Sequence, residues 1–177
     1  MFANPQSNVA QFNLREGMRV ADFGAGSGGY VRAISDRVGH TGKVYAIDVQ
    51  NSLFLKLTED VKKYPLQNVE CILGDVEKKG GSKLADKSMD AIIASNVLFQ
   101  IEDKLGLIDE IKRVLKPKGR VLVIDWSDSF GGMGPAPMYV VPKIKAEHLF
   151  IDRGFRVIEN IGAGSHHYGI IFIYESR

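Results

Sequence analysis

The chain is poor in the features that staple or anchor a protein. Cys71 is the only cysteine in 177 residues, so no disulfide can form within the chain and nothing points to an oxidising compartment. No Cys or His spacing fits a zinc site, since His40 and His148 lie on segments far from His166 and His167. No apolar run is long enough to cross a bilayer, and the opening MFANPQSNVAQ lacks the charged and apolar regions of a signal peptide. A cytoplasmic location is the expectation. Charge of one sign is not in excess either: 23 Lys and Arg against 21 Asp and Glu leave a net charge of +2. That balance neither requires nor excludes a phosphate backbone as partner. The basic residues are scattered over helix faces, as at Lys56, Lys62, Lys63, Lys78, Lys79, Lys112 and Arg113, with no basic stripe interleaved with aromatics. There is no internal repeat, low-complexity tract or linker.

What is present suits one domain with a real core: 45% of residues are hydrophobic and 25% charged. Strand-like and helix-like pieces alternate. Short apolar runs at 18–23, 43–49, 69–73, 89–95 and 120–126 predict buried strands. Apolar residues at helical spacing predict helices from 27 or 28 to 38, and over 52–64, 103–115 and 143–153. Two last strands, 155–161 and 168–174, flank a Gly-Ala-Gly-Ser turn with no helix between them, so they pair as an antiparallel hairpin. Nearly all-apolar strands separated by amphipathic helices imply an α/β protein with a doubly wound parallel sheet covered on both faces. Residues 127–142 (SDSFGGMGPAPMYVVP) hold three glycines and three prolines and read as an irregular loop of the length that often serves function.

The stretch VADFGAGSGGY, residues 20–30, carries the chemistry. It fits G-x-G-x-x-G through Gly24, Gly26 and Gly29, which suggests a dinucleotide. It also fits D-x-G-x-G-x-G through Asp22, Gly24, Gly26 and Gly28, which suggests S-adenosylmethionine. Glycine supplies the unusual backbone angles of such a turn and leaves room for a ligand. A helix opening at Ser27 or Gly28 would aim free N–H groups at that ligand. Asp48, closing the second strand, suits either ligand, because both carry ribose hydroxyls. Asp22 discriminates: a pyrophosphate is repelled by a carboxylate so near, whereas a sulfonium and an ammonium are attracted. A structural alternative is that Asp22 orders the glycine loop through backbone N–H groups. Asp75, closing the third strand, can accept a hydrogen bond from an adenine amine.

With these residues in order, the chain resembles the class I S-adenosylmethionine-dependent methyltransferases over nearly its whole length. Within them it is most similar to the small ubiquinone/menaquinone-biosynthesis-type methyltransferases. Asp22, Gly24, Gly26 and Gly28 match the first motif, Asp48 the ribose acid and Asp75 the adenine-contacting acid. Residues 94–101 (ASNVLFQI) look like the fourth motif, and LKPKGR at 115–120 like the turn before the fifth strand. The resemblance implies a Rossmann-like sheet of seven strands in the order 3-2-1-4-5-7-6 with strand 7 antiparallel. It implies S-adenosylmethionine as cofactor, held by Asp22, Gly24, Ala25, Gly26, Gly28, Asp48, Val49, Gly74, Asp75, Val76, Ser95 and Asn96. Residues 1–177 then read as one methyltransferase domain, with 1–17 as an N-terminal extension and 127–142 as a loop on the substrate side.

Ligands of an open parallel sheet sit beyond the carboxyl ends of its strands. The turn between the last two strands falls on that rim and carries His166, His167 and Tyr168, the candidates for general-base catalysis. Of the two histidines, one should face away, because neighbours in an extended segment point to opposite sides. Asp125 and Asp128 read more simply as a strand end and a loop than as metal ligands, and no metal is expected. Trp126, Phe130, Met133, Met138 and Tyr139 either line an apolar acceptor pocket or pack the loop against the sheet. Asn96 is not followed by Pro-Pro-Tyr or Pro-Pro-Phe, which disfavours exocyclic amines as acceptors, and a lone cysteine disfavours thiolate-dependent arsenic methylation. Transfer to O, N or C of a small, partly apolar molecule is the first expectation. RNA or protein methylation remains open, because little covers the core fold. So does a non-catalytic cofactor-binding module. A nicotinamide-dependent reductase lacks a suitably placed Tyr-x-x-x-Lys and conflicts with Asp22.

Overall fold

Apolar runs too short for helices can be buried only side by side, with amphipathic helices over both faces. The computed structural model of the chain, which describes residues 3–64 and 66–175, has that arrangement. Strands β1 (Arg19–Phe23), β2 (Lys43–Asp48), β3 (Val69–Leu73), β4 (Met89–Ser95), β5 (Leu115–Trp126), β6 (Phe155–Ile161) and β7 (His167–Tyr174) form one sheet. Its order is β3-β2-β1-β4-β5-β7-β6. Strands β1 to β5 pair in parallel, and β7 is antiparallel to both β5 and β6. Helices α1 (Pro5–Gln11), α2 (Val31–Val38), α3 (Asn51–Lys63), α4 (Lys104–Val114) and α5 (Lys143–Ile151) cover it. The alternation of β4 shows how each strand feeds two cores: Ile92 packs with α4 and α5, Ile93 with α1, α2 and α3.

Register sets the site. Phe23 of β1 lies level with Ile47 of β2 and Ala94 of β4. The next residues along, Gly24, Asp48 and Ser95, therefore leave the sheet together at one edge. Asp22 lies one residue below this level in β1, so the sheet delivers Asp22, Asp48 and Ser95 to a single rim.

The structure departs from the sequence expectation in four places. Helix α2 begins at Val31, so residues 24–30 are successive turns and the helix is not the source of N–H groups at Ser27 or Gly28. Strand β5 begins at Leu115, five residues early: Met89 pairs with Leu115, the register slips, and pairing resumes at Ala91 with Arg120. Lys118 takes φ 64° inside that slip, which keeps the Lys-Pro-Lys-Gly bend within the strand. Helix α1 lies within the stretch read as an extension. It is about two turns long, and its start is signalled by the Asn4 cap, accepting the Ser7 N–H, and by Pro5 at the first helical position. Residues 127–142 carry two short 3-10 turns, Phe130–Gly132 and Pro137–Tyr139.

One buried ion pair braces the long connection from β3 to β4. Glu110 of α4, 1% exposed, accepts the N–H groups of Gly80 and Ser82, the Ser82 hydroxyl and the Arg113 guanidinium. Burial opposes its ionisation, but Arg113, Ser82 and the two N–H groups outweigh it and hold the carboxyl at about 2. Gly81 in turn accepts the Asp75 N–H, so the brace reaches the rim. Among the described residues no helix is long and apolar enough to cross a membrane.

Candidate functional site

A cleft of about 440 Å³ opens where the polar residues leave β1, β2, β3 and β4. That is a size suited to a small ligand. Every residue that the resemblance assigns to the cofactor lines it except Gly28. At Gly28 a side chain would meet Leu57 of α3 at 2.5 Å, so this glycine serves helix packing and not the cleft. Gly24 has φ 73°, and a Cβ there would strike Val97 at 2.6 Å, which brings the β1 and β4 tips close. Gly26 has φ 56° and nothing within 4 Å of where a Cβ would stand, so its backbone faces open space.

The acids at the tips of β1 and β2 differ in their partners, and the structural alternative read for Asp22 falls to its neighbour. Asp48, not Asp22, orders the glycine loop: its Oδ2 accepts the Gly26 N–H at 2.8 Å and its Oδ1 the Gln50 N–H at 2.8 Å. A carboxylate has about four acceptor sites, so each oxygen keeps one to offer. Asp22 is 2% exposed, and its Oδ2 has no hydrogen-bond partner. Burial, with the negative charge of Asp48 added, pushes its carboxyl up to about 7. Asp75 caps its own turn by accepting the Glu77 N–H, and the paired Lys78 ammonium at 2.8 Å holds it below the usual carboxylate range.

Asp22, Asp48, Asp75 and Glu77 all line the cleft, and no lysine, arginine or histidine does among the described residues. Lys78 points outward with its side chain 78% exposed. Such a site attracts cations and repels phosphates. An unpartnered buried carboxylate is costly unless a ligand pairs with it.

The histidines sit behind this cleft, not in it. His167 is buried, its ring 4.4 Å from that of Trp126, and its Nε2 meets Asn96 Oδ1 at 3.0 Å. Asn96 holds φ 57° and is the member of this pair that lines the cleft. An amide oxygen only accepts, so Nε2 carries the proton. Burial and the neighbouring His166 keep the ring neutral by lowering its pKa. His166 lies in the turn just before β7, edge-on to Phe130 at 4.5 Å and with its ring 6.5 Å from that of Trp126, so both histidines gather around the same tryptophan. Tyr168 is not brought to the cleft: its hydroxyl donates to the Val141 carbonyl, and burial raises its pKa. Asp125 is wholly buried and binds backbone in place of a metal, accepting N–H groups of Trp126, Leu98 and Phe99.

Sequence reasoning did not single out Tyr30, Leu53 and Glu77, which also line the cleft. Glu77 stands two residues beyond Asp75, so the strand-tip rule extended by one turn finds it. Tyr30 gave no such signal, because its hydroxyl is fixed by Asn8 of α1, 22 residues away in sequence.

Comparison with known proteins gives a consistent result. A family described as "Methyltransferase domain" matches residues 14–149. A solved structure of a SAM dependent methyltransferase from Aquifex aeolicus is 32% identical, covers 97% of this chain and 90% of its own, and superposes with a TM-score of 0.89. A ubiquinone/menaquinone biosynthesis C-methyltransferase, UbiE, from Paraburkholderia phymatum is 32% identical over 67% of this chain and 47% of its own length. An arsenite methyltransferase from Halobacterium salinarum is 32% identical over 69% of this chain and 30% of its own length. The chain thus spans less than half the length of these two relatives.

The Asp22 carboxyl sets a measurable pH dependence of folding. Its folded pKa of about 7 lies above the ordinary carboxyl value of 3.8, so between those values only the folded state holds the proton. Its contribution is intact below pH 4, is lost as pH rises towards 7, and stays lost above. Asp22→Asn removes that loss. We expect the variant to match the wild type at pH 4 and to exceed it at pH 8 by up to about 4 kcal/mol, read by denaturant unfolding. Equal stability of the two proteins at pH 8 would contradict an uncompensated carboxylate at this position.

Proposed function

The chain belongs to the methyltransferase-domain family, and from that premise we propose that it is an S-adenosylmethionine-dependent methyltransferase acting on a small, partly apolar acceptor. The observation that carries the reading is the acid-lined cleft without a basic side chain, with the unpartnered Asp22 Oδ2 buried in its wall. A dinucleotide would place two phosphates against four carboxylates. S-adenosylmethionine would bring an ammonium and a sulfonium in place of phosphates. Asp22 would pair with a cationic group. The free sites of Asp48 would take the ribose hydroxyls, and Asp75 with Val76 would flank the adenine. Gly24, Ala25 and Gly26 would give the backbone close approach, with Val49, Gly74, Ser95 and Asn96 completing the wall.

When bound, the donor supplies a methyl carbon on a sulfonium: the acceptor's lone pair forms the new bond, the C–S pair returns to sulfur, and S-adenosylhomocysteine is left. The chain's own task is to hold the two partners in line and exclude water, which lowers the barrier by several kcal/mol or more. His167 acts here as a positioning residue: its Nε2–H fixes Asn96 at the cleft wall, and the Trp126 ring fixes His167. His166 and Tyr168 hold the loop and the hairpin.

Residues 1–177 serve as one methyltransferase domain in this reading, with 127–142 on the acceptor side and a cytoplasmic location. Quinone-type acceptors fit better than arsenite, since Cys71 on β3 lies outside the cleft and is the sole thiol.

Calorimetry provides the test. S-adenosylhomocysteine should bind and NAD should not; binding of NAD alone would overturn the reading. In turnover assays at saturating donor, His167→Ala should slow transfer about tenfold, the cost of one hydrogen bond, and leave S-adenosylhomocysteine affinity within about twofold. The wild-type rate should be flat from pH 6 to 8. A rate that falls on acidification in the wild type, and no longer does so in His167→Ala, would make His167 the base.

A further inference from the structure

A second cleft, of about 580 Å³, lies beside the first and shares Gln100 and Ile101 with it. Residues 99–101 are the partition between the two. Asp125 anchors that partition from below, through the N–H groups of Leu98 and Phe99. The far side of the second cleft is built from the irregular loop and the start of α5.

The two clefts differ in charge. The first holds four carboxylates and no basic side chain; the second holds Lys104 and Lys145 against Glu102 alone. The Lys104 ammonium is fixed at the cleft by donating to the Ile101 carbonyl at 2.6 Å. Lys145 is exposed on α5. Gln100 apart, the other lining residues are apolar or aromatic, Phe99, Met138 and Tyr139 among them. Met138 is 81% and Tyr139 58% exposed, so apolar side chains stand in water at the cleft mouth where an occupant would cover them.

We propose that this second cleft is the acceptor subsite and that the acceptor carries an anionic group on an apolar, aromatic-sized body. The proposal rests on the methyltransferase reading above and narrows its substrate class. The apolar body covers Phe99, Met138 and Tyr139, and the anion faces the lysine pair. Nearby ammonium groups favour an ionised nucleophile over its conjugate acid. Opposite charge in adjoining clefts also sorts the ligands: a cationic donor is repelled by the lysines, and an anionic acceptor by the carboxylates.

The test uses 2-naphthoate and its neutral isostere 2-naphthamide, titrated calorimetrically into the full chain with and without S-adenosylhomocysteine. Naphthoate should bind at least tenfold more tightly than the amide. Lys145→Gln should cut that preference to threefold or less, and Tyr139→Ala should weaken both probes about equally. Lys145 is exposed, so its replacement leaves folding intact. Equal binding of the two probes, no binding of either, or a preference unchanged in Lys145→Gln overturns the proposal. If S-adenosylhomocysteine binds while naphthoate does not, the donor reading stands and this inference falls. If naphthoate shows the lysine-dependent preference while S-adenosylhomocysteine does not bind, the anion subsite stands and the donor reading falls.

Discussion

Two carboxylates at neighbouring strand tips repel each other in a cleft that offers them no cation. Asp22 and Asp48 extend from β1 and β2, and among the described residues no basic side chain lines the cleft in front of them. The protein relieves half of this conflict itself. Asp48 spends its charge on two backbone N–H groups and in doing so shapes the glycine loop. Asp22 receives no such help, and its carboxyl rises to about 7 as a result. A group left in that condition stores free energy that only a cation, or a proton, releases. Stability is given up here for affinity, a common pattern at binding sites.

The rest of the fold keeps this pair in place. Parallel register brings Gly24, Asp48 and Ser95 out at one level. The close approach of Gly24 to Val97 locks the first and fourth strand tips together. Two further buried carboxylates serve as braces at the sides. Glu110 holds residues 80–82 and through them Asp75. Asp125 holds the partition between the two clefts. Four acids thus stand in four distinct settings: an unpartnered carboxyl in the cleft wall, loop shaping, a brace with a guanidinium, and a brace with backbone alone. Environment, not residue type, separates them.

The sheet was legible because its signal is local. Each strand is an apolar run with turn residues at its ends, and β3, β4 and β6 begin and end where the pattern says. The strand order came from resemblance, and no spacing in the chain specifies it. The residues that line the cleft were largely legible because they cluster at strand tips, which sequence places well. Gly28 fits the glycine pattern yet does not line the cleft, because a glycine at φ 85° beside Leu57 looks the same in sequence as one that faces a ligand. That the loop-ordering N–H groups go to Asp48 and not to Asp22 was not legible, because which acid finds N–H groups depends on loop path, and the loop is turn where helix was expected. His167 was found, but its link to Asn96 spans 71 residues and has no sequence signature. The second cleft was foreshadowed only by the apolar residues of the irregular loop; Lys104 and Lys145 join it through tertiary contact.

The direct measurement is the number of protons exchanged when S-adenosylhomocysteine binds, obtained by calorimetry at pH 6.5 in buffers of different ionisation enthalpy. At that pH the Asp22 carboxyl is largely protonated in the free protein, given its pKa of about 7, and pairing with an ammonium drives the proton off. Release of more than half a proton by the wild type, and none by Asp22→Asn, is the expected result. Binding by the wild type without proton release would contradict a cation held by Asp22.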